Sequence, residues 1–274
     1  MKVSLITACF NSAGTIRTAI ESVFAQRGAD VEYIVVDGGS TDGTVDVIRE
    51  FEPRNTPNTR NVEFRWISEK DRGMYDAINK GIKMATGDVV GILNADDVLA
   101  TDETLAHVGE MFEPRNTQNT RNDGVVDCVY ADIRFVKGGD SVAALREART
   151  VRYCSAAKWR PWMFRFAAMV PHPSFYVRRE CFSRLGGYSL DYRICSDFEL
   201  ELRYLGIAKL KSAYLPKCVV VMRMGGASTA GWRANVEINR EDLRALRANG
   251  VWSCLPMIYL KYLFKIWGFV FKRN

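Results

Sequence analysis

The first 100 residues of the chain alternate short apolar runs with helical patterns, and this alternation constrains the fold more than any other feature. The apolar runs are rich in β-branched residues, which is typical of buried strands. Buried strands separated by helices predict an α/β fold, with a Rossmann-like, mostly parallel sheet and helices on both of its faces. The predicted strands and helices are, in order, Val3–Ala8, Ile16–Phe24, Val31–Val36, Thr44–Phe51, Phe64–Ser68, Tyr75–Met84 and Val89–Leu93.

Beyond residue 125 the alternation weakens. We therefore predict two halves of one domain, 1–125 and 126–230, followed by a helical C-terminal extension over 231–274. The elements predicted in this part are strands over Val126–Ile133 and Val219–Met222 and helices over Arg178–Leu185, Asp197–Leu205 and Val236–Arg247.

The composition is that of an ordinary globular enzyme and excludes wholesale disorder, because 47% of the 274 residues are hydrophobic and 26% are charged. A formal net charge of +6 suits anionic partners such as nucleotide diphosphates or lipid headgroups. The basic residues are dispersed and no recognition motif is present, so a nucleic-acid partner is not expected.

The cysteines and the N-terminus indicate a protein that stays in the cytoplasm. Seven cysteines are scattered, odd in number and never spaced as CxxC, which argues against a disulfide framework or a zinc site. The run after Lys2 is too short for a secretory signal. Cys9 follows the first predicted strand, and the sequence leaves open whether it fills space or acts as a thiol.

Three polar segments follow predicted strands: Thr7–Asn11, Asp37–Ser40 and Asn94–Asp97. Ligands of parallel α/β sheets bind beyond the carboxyl ends of the strands, so these segments are expected to share one site. Each has a structural alternative. The turn at Asp37 could simply lead into a helix capped by Ser40 or Thr41.

The run Asn94-Ala95-Asp96-Asp97 places two carboxylates directly after an apolar strand. Burying them is costly unless a cation or hydrogen bonds compensate. Hard oxygen ligands suit Mg²⁺ or Mn²⁺, completed by substrate phosphates and water. The alternative is that Asp97 or Thr101 caps the next helix.

Further polar blocks continue the pattern in a fixed order along the chain. The blocks are Ser4–Asn11, Val35–Thr44, Ser68–Gly81, Gly87–Asp97, Pro171–Phe175, Leu185–Tyr188 and Ser196–Leu200. Together they resemble family 2 inverting glycosyltransferases, of the kind that act in bacterial surface polysaccharide biosynthesis. The resemblance spans roughly residues 3–205 and implies a GT-A-type fold.

The resemblance implies transfer of a sugar from a nucleotide-diphosphate sugar, with UDP expected, to a hydroxyl of a glycan or lipid-linked acceptor. Residues 1–125 would bind the donor, and 126–230 would supply the acceptor side. Asp37 would accept from the N3–H of uracil, Asp96 would ligate Mg²⁺ or Mn²⁺, and Asn94 would face the ribose. The other positions that match the donor-binding motifs are Thr7, Cys9, Asn11, Ser40, Asp71 and Ala95.

The general base implied by the resemblance is Asp197, in the first turn of a predicted helix. The same placement would let Asp197 act only as a partner of the helix dipole. His172, between two prolines, is a candidate third metal ligand, a contact to acceptor or diphosphate, or a structural hydrogen-bonding group. The family commonly has Asp at position 94, so Asn94 removes one negative charge beside the metal.

The tail over 251–274 is apolar and aromatic but carries Lys261 and Lys265 near its middle. Lysines at the centre of a membrane span are costly, so a helix lying on the inner surface of the cell membrane is predicted instead. The alternatives are a helix packed on the catalytic domain and a homodimer contact.

An eleven-residue segment, Phe51–Asn61, recurs with one change as Phe112–Asn122. Its Pro, Asn, Thr and Arg content predicts a surface loop, with a basic arm as the alternative. Two rival functions also stay open. A nucleotidyltransferase would share a similar sheet, although its Gly-rich phosphate loop is missing after the first strand. A non-catalytic, membrane-bound nucleotide-binding scaffold would not need Asp96 and Asp197.

Overall fold

The computed structural model of the chain describes residues 1–52, 61–113, 125–225 and 231–262, without the side chains of 231–234. Both copies of the repeated segment fall largely in the gaps, so the loop prediction lies outside the described residues. The prediction for the tail beyond residue 262 lies outside them as well.

The described residues form an α/β structure built on one nine-stranded sheet. The strands are β1 Lys2–Cys9, β2 Asp30–Asp37, β3 Val62–Ser68, β4 Val89–Ile92, β5 Val98–Leu99, β6 Cys128–Val136, β7 Thr150–Cys154, β8 Tyr176–Arg178 and β9 Ser212–Arg223. The helices are α1 Ile16–Phe24, α2 Thr44–Arg49, α3 Met74–Met84, α4 Thr104–Phe112, α5 Val142–Glu147, α6 Arg179–Leu185, α7 Ser196–Glu201, α8 Gly231–Ala248 and α9 Leu255–Tyr259.

One half of the sheet is parallel, in the order β3-β2-β1-β4. Strand β1 shows why these residues form a central strand: Ile6 belongs to one apolar cluster, and Val3 and Leu5 belong to the other. Alternate side chains of a strand point to opposite faces, so a continuous apolar run indicates a strand that is covered on both sides. The α/β prediction is confirmed here.

The other half of the sheet is mixed. Strand β8 pairs antiparallel with both β4 and β6, while β6 and β9 run parallel. Antiparallel neighbours do not need a crossover helix. The regular strand–helix alternation therefore weakens after residue 125 because the topology changes there.

Helices cover both faces of the sheet. Helix α1 turns Ile16, Ile20 and Val23 inward, which matches the predicted apolar spacing. Helix α3 packs closely on β1 through Gly81, because a Cβ at that position would lie 2.5 Å from a methyl carbon of Ile6.

Two elements differ from the sequence prediction. Strand β9 has 12 residues, where only Val219–Met222 was predicted, because its first half carries few buried side chains and lacks a strand pattern. The helix predicted over 197–205 is a short α-helix, α7, continued as a π-helix over Leu202–Ile207. Among the helices of the described ranges, none combines the length and apolarity needed to cross a membrane.

Candidate active site

The predicted polar segments meet at the carboxyl ends of the parallel strands. The first two are hydrogen-bonded to each other: Gly38 N donates to the Cys9 carbonyl over 2.9 Å, and Asn11 N donates to Ser40 Oγ over 2.7 Å. Thr41 N in turn donates to Asn11 Oδ1 over 3.0 Å. Asn11 adopts a left-handed backbone conformation with φ of 48°, which asparagine tolerates better than most residues. The two segments form one rigid turn at the edge of the sheet.

Asp37 is the centre of this turn. Its carboxylate has no exposed surface and accepts hydrogen bonds from Ser68 Oγ at 2.7 Å, from Gly39 N at 3.1 Å, and from both the backbone N–H and the hydroxyl of Ser40. Burial alone would raise the pKa of Asp37, but the hydrogen bonds from Ser40, Ser68 and Gly39 lower it below the ordinary value. The contact of Asp37 with the base stays a prediction, and in this structure the carboxylate organises the turn.

Ser40 and Thr41 do not cap the next helix, contrary to the structural alternative for this turn. The N-cap of α2 is Gly43, and Asp42 before it accepts through Oδ1 from the N–H and the hydroxyl of Thr44, the first residue of α2. Ser40 is left to hold Asp37 and Asn11 together.

Thr7 is held inside the sheet by two hydrogen bonds. Its side chain is fully buried, donates to the Leu93 carbonyl over 2.8 Å and accepts from the Tyr33 hydroxyl over 3.0 Å. The contact of Thr7 with the nucleotide stays a prediction. Thr7 ties β1 to the segment that leads into Asn94.

Cys9 is buried beside Asp37, with its Sγ 3.7 Å from Asp37 Oδ1. Burial and the nearby carboxylate raise the pKa of the Cys9 thiol far above its ordinary value. A thiol held in its protonated form is a poor nucleophile, and the space-filling interpretation of Cys9 is therefore the better one.

Asp71 reaches the same turn from the end of β3. Its carboxylate lies so close to Gly38 that a Cβ at position 38 would collide with it, and it accepts from Gly73 N over 2.8 Å. The loop that carries Asp71 leads directly into α3. Asp71 therefore joins the Asp37 turn to the helix that carries Tyr75.

Asp96 and Asp97 follow β4, with Ala95 buried before them. Asp97 has no exposed surface, and burial together with the charge of Asp96 raises its pKa well above the ordinary value. Burial also raises the pKa of Asp96, against the attraction of Arg223. Neither Asp97 nor Thr101 caps α4, which begins after Glu103 without a side-chain cap.

Arg223, at the end of β9, holds the turn formed by Asn94–Asp97 in place, and this turn is called the acid turn below. The backbone N of Arg223 donates to Asp97 Oδ1 over 3.2 Å, and its Nε donates to the Asp96 carbonyl over 3.0 Å. The guanidinium also reaches Thr18 of α1 at 2.9 Å. Sequence reasoning missed Arg223, and its only signal was a cation directly after an apolar strand.

Asn94 donates from Nδ2 to Asp97 Oδ2 over 2.8 Å. An aspartate at this position would bring a third carboxylate against a buried one. The amide therefore accounts for the departure from the family pattern, because it stabilises Asp97 when no cation is bound. The contact of Asn94 with the ribose stays a prediction.

The acid turn fits a divalent cation only in part. The Asp96 carboxylate is half-buried and accepts no hydrogen bond from another residue within the described ranges, so it is available as a ligand. In the same ranges, no group of three or more His, Cys, Asp or Glu side chains is arranged to hold a metal ion. The protein would supply Asp96, and phosphate and water oxygens would complete the coordination.

Asp197 lies in the first turn of α7 and is half-buried. Its Oδ1 accepts from Phe198 N over 2.8 Å and lies 3.1 Å from the Tyr75 hydroxyl, whose nearer acceptor is the Ile194 carbonyl at 2.5 Å. In the part of the chain that the structure describes, no donor approaches Oδ2. One oxygen is thus fixed, and the other is open to a hydroxyl group.

The loop before α7 is held by Glu241 of α8. The Glu241 carboxylate accepts from the backbone N–H groups of Arg193, Ile194 and Cys195, over 3.1, 2.9 and 3.0 Å. This contact fixes the start of the helix that carries Asp197. No local sequence signal pairs Glu241 with this loop or Tyr75 with Asp197.

His172 shares a hydrogen bond of 2.7 Å between its Nε2 and the Tyr188 hydroxyl. Tyr188 stacks on Tyr75, with ring centroids 5.6 Å apart. Burial lowers the pKa of His172, so its imidazole is neutral near pH 7. The observed contact is that of a structural hydrogen-bonding group, and metal ligation by His172 stays a prediction.

A separate groove of about 480 Å³ lies between α3 and α6. None of its lining residues belongs to the acid turn or to the Asp37 turn. The predicted donor-site residues Asp37 and Asp96 lie at the strand ends, outside this groove.

Comparison with known proteins identifies the class. The Glycosyl transferase family 2 model matches residues 4–136. A solved structure of S. aureus TarS 1-349 in complex with UDP-GlcNAc superposes with a TM-score of 0.60 at 18% identity, covering 90% of this chain and 66% of that one. The mannosyltransferase PcManGT from Pyrobaculum calidifontis, in complex with GDP-Man and Mn²⁺, gives 0.60 at 22% identity over 98% of this chain and 72% of that one. The fold is that of the GT-A glycosyltransferases.

Two similar proteins indicate the family to which the chain belongs. A PGL/p-HBAD biosynthesis glycosyltransferase of Mycobacterium bovis is 28% identical over 89% of this chain and 83% of its own length. An uncharacterized glycosyltransferase of Mycobacterium tuberculosis is 30% identical over 73% of this chain and 68% of its own length. The chain belongs to glycosyl transferase family 2, and it is a glycosyltransferase enzyme.

Proposed function

We propose that this enzyme transfers a sugar from a nucleotide-diphosphate sugar, with UDP as the expected nucleotide, to a hydroxyl group of a glycan or lipid-linked acceptor, with inversion at the anomeric carbon. The observation that carries the proposal is the environment of Asp197, a half-buried carboxylate with one oxygen fixed by Tyr75 and the other open. The solved relatives include complexes with UDP-GlcNAc and GDP-Man, which supports a donor of this class.

The donor would lie along the carboxyl edge of the parallel strands. The backbone of the Asp37 turn, with Asn11, Ser40 and Asp71 around it, offers hydrogen-bonding groups fixed before the ligand arrives. A preformed turn does not lose conformational freedom on binding, which favours affinity. The nucleoside is therefore assigned to this turn.

The diphosphate is assigned to the acid turn. Mg²⁺ or Mn²⁺, when bound, neutralises the negative charge that develops on the departing diphosphate. Asp96 would hold the ion, while Arg223 keeps the turn in position through the Asp96 carbonyl. Asn94 keeps the neighbouring Asp97 hydrogen-bonded.

Asp197 would accept the proton that the acceptor hydroxyl loses during sugar transfer. The acceptor oxygen forms a bond to the anomeric carbon while the bond from that carbon to the diphosphate oxygen breaks, and the diphosphate leaves with the electron pair. The hydroxyl proton goes to Asp197, whose open Oδ2 is the acceptor atom. Tyr75 holds the carboxylate in one orientation.

The test is Asp197→Asn. We expect turnover with donor and acceptor to fall by about 1,000-fold or more, because the proton then lacks an acceptor, while donor affinity stays the same. The donor is chosen from a nucleotide-sugar panel by thermal shift. The matched control is Asp191→Asn, an exposed carboxylate six residues earlier. Turnover near that of the wild type in Asp197→Asn would rule out this base.

We also propose that the enzyme is peripheral on the cytoplasmic face of the cell membrane, through residues 251–274. Support comes from the outward face of α9, where Leu255, Tyr259 and Leu260 are exposed. Lys261, two residues beyond this helix, points inward and pairs with Asp242 over 2.6 Å. The described part of the tail thus packs on the domain and presents apolar side chains outward.

A further inference from the structure

A second aromatic and basic segment lies beside α9. Residues 158–166 read Lys-Trp-Arg-Pro-Trp-Met-Phe-Arg-Phe, and Pro161–Phe166 form a 3₁₀ turn. Trp159 and Phe164 are buried, which anchors the turn. The outward side chains are Lys158, Arg160, Trp162 and Arg165, with Trp162 59% exposed.

Helix α9 docks on this turn. Ser253 Oγ donates to the Arg165 carbonyl over 2.6 Å, and Ile258 lies in the same apolar cluster as Phe164. Beyond these contacts, Trp252 is 69% exposed, next to the exposed Leu255 and Tyr259. The two segments are therefore in contact, and each exposes aromatic side chains to solvent.

Helix α9 carries no charged residue on either side. A helix on the surface of a soluble domain usually turns its apolar side chains inward and its charges outward. Helix α9 buries Ile258 but leaves Leu255 and Tyr259 exposed, and Trp252 before it is exposed as well. Exposed apolar side chains of this kind are typical of surfaces that contact a membrane or another protein.

The exposed charge of this surface is positive and comes from the turn. Residues 155–170 contain Lys158, Arg160 and Arg165 and no acidic residue. Residues 249–262 contain no acidic residue either, and their one cation, Lys261, is buried and paired with Asp242. Exposed tryptophan and tyrosine with arginine and lysine beside them match the interfacial region of an anionic bilayer, where aromatic rings lie at the headgroup level and cations attract the lipids.

We propose that the 158–166 turn and α9 together form one docking surface for an anionic phospholipid membrane, here named the aromatic–basic surface. This proposal names the surface that would make the membrane contact proposed above, and it rests on that contact. The turn contributes the charge, through Arg160 and Arg165, and both segments contribute the aromatic rings. The membrane contact is therefore built into the catalytic domain and does not depend on the tail alone.

The aromatic–basic surface is tied to the acceptor side of the active site. The segment after the turn runs to Val170, whose N–H donates to Glu201 Oε2 over 3.1 Å. Glu201 is fully buried, one helical turn after Asp197 on α7. Docking through this surface would thus hold the Asp197 helix in a fixed relation to the membrane, which suits an acceptor carried on a lipid.

The experiment compares full-length variants in vesicle sedimentation. The turn variant combines Arg160→Gln, Trp162→Ser and Arg165→Gln, and a second variant combines Trp252→Ser with Tyr259→Ser. The matched control, Arg27→Gln with Lys83→Gln and Val125→Ser, removes the same charge and one apolar side chain from exposed positions elsewhere. Vesicles are phosphatidylcholine alone or an equal mixture with phosphatidylglycerol.

The wild type is expected to bind the mixed vesicles, to release at high salt and to bind phosphatidylcholine weakly. The turn variant should bind the mixed vesicles about 30-fold more weakly, from the two lost cations alone. The second variant should also bind more weakly, and the control should bind as the wild type does. Thermal unfolding checks that each variant is folded.

Unchanged binding by the turn variant, equal loss in the control, or equal binding to both kinds of vesicle would each overturn the proposal. Turnover with a soluble acceptor, measured without vesicles, separates it from the proposed function. The turn variant should keep that turnover. If the wild type shows none with any donor and acceptor while the binding results hold, the proposed reaction fails and the docking surface stands.

Discussion

Glu32 and Asp97 are two carboxylates buried without exposed surface at opposite ends of the same parallel strands. At the amino end, Glu32 accepts from Ser4 Oγ at 2.5 Å, from Thr86 N at 2.7 Å and from Arg65 at 2.9 Å. At the carboxyl end, Asp97 accepts from Asn94 and Arg223 and has the charge of Asp96 beside it. Hydrogen bonds thus compensate the buried charge of Glu32, whereas the charge of Asp97 has a like charge beside it.

Their pKa values move in opposite directions for this reason. Burial would raise the pKa of Glu32, but the hydrogen bonds from Ser4, Thr86 and Arg65 lower it to about 2. Burial and the charge of Asp96 raise the pKa of Asp97 well above its ordinary value. Two carboxylates of equal burial thus differ in pKa, because hydrogen bonds stabilise the charge of Glu32 while the charge of Asp96 opposes that of Asp97.

The largest expected effect is the loss of activity in Asp96→Asn. We expect the transfer rate to fall by about 1,000-fold, equivalent to about 4 kcal/mol, because the diphosphate charge is then poorly neutralised. The unfolding free energy without metal should not fall, since a charge beside buried Asp97 is removed. Steady-state kinetics with Mn²⁺ and urea unfolding measure the two. Asp30→Asn, at an exposed position of the amino end, is the control and should change neither.

Glu32→Gln should have the opposite profile. We expect it to lower the unfolding free energy by about 2 kcal/mol at pH 7, because hydrogen bonds to a buried charge are lost, while turnover per folded molecule stays the same. The folded pKa lies below the ordinary 4.5, so the stabilisation is complete above pH 4.5 and is lost as the pH falls toward about 2. Urea unfolding at several pH values should show the difference from wild type shrinking in that window. A difference that grows on acidification would contradict it.

Asn94→Asp tests how the acid turn tolerates charge. Without metal, we expect the unfolding free energy to fall by about 1 kcal/mol, because Asp97 loses a donor and gains a like-charged neighbour. With nucleotide present, Mn²⁺ should bind about tenfold more tightly, since a third carboxylate joins the site. Calorimetric Mn²⁺ titration with and without UDP measures this. Weaker Mn²⁺ binding in the variant would show that Asn94 itself helps to hold the ion.

The smallest effect is expected for Cys9→Ser. The serine hydroxyl can donate to Asp37 as the thiol does, so the unfolding free energy should change by less than about 1 kcal/mol. Turnover should stay within about twofold of the wild type, because a protonated thiol has no catalytic role. Thermal unfolding and kinetics under the same conditions are the measurement. A large loss of turnover with intact stability would make Cys9 part of the mechanism.

The donor half could be predicted closely from the sequence because its signals are local. Apolar runs locate β1 and β2, and the polar residues that follow them must meet where parallel strands end. The family motifs then select Asp37 and Asp96 within those segments. Local patterns could not predict that Thr7 is buried, because its environment includes Tyr33 of the neighbouring strand.

The acceptor half was harder to predict because its contacts join distant segments. Glu241 binds the loop before α7 across more than 40 residues, and Tyr75 reaches Asp197 across 122. The inward turn of Lys261 depends on Asp242, which no periodicity pairs with it.

The contacts of Arg223 affect the order in which parts of the enzyme fold during translation. It holds Asp97 across 126 residues and Thr18 across 205, so the acid turn lacks its anchor until β9 has left the ribosome. Domains form from the N-terminus as the chain emerges. The early strands can therefore associate while the acid turn is still unsecured, and the turn gains its anchor only after Arg223 has emerged.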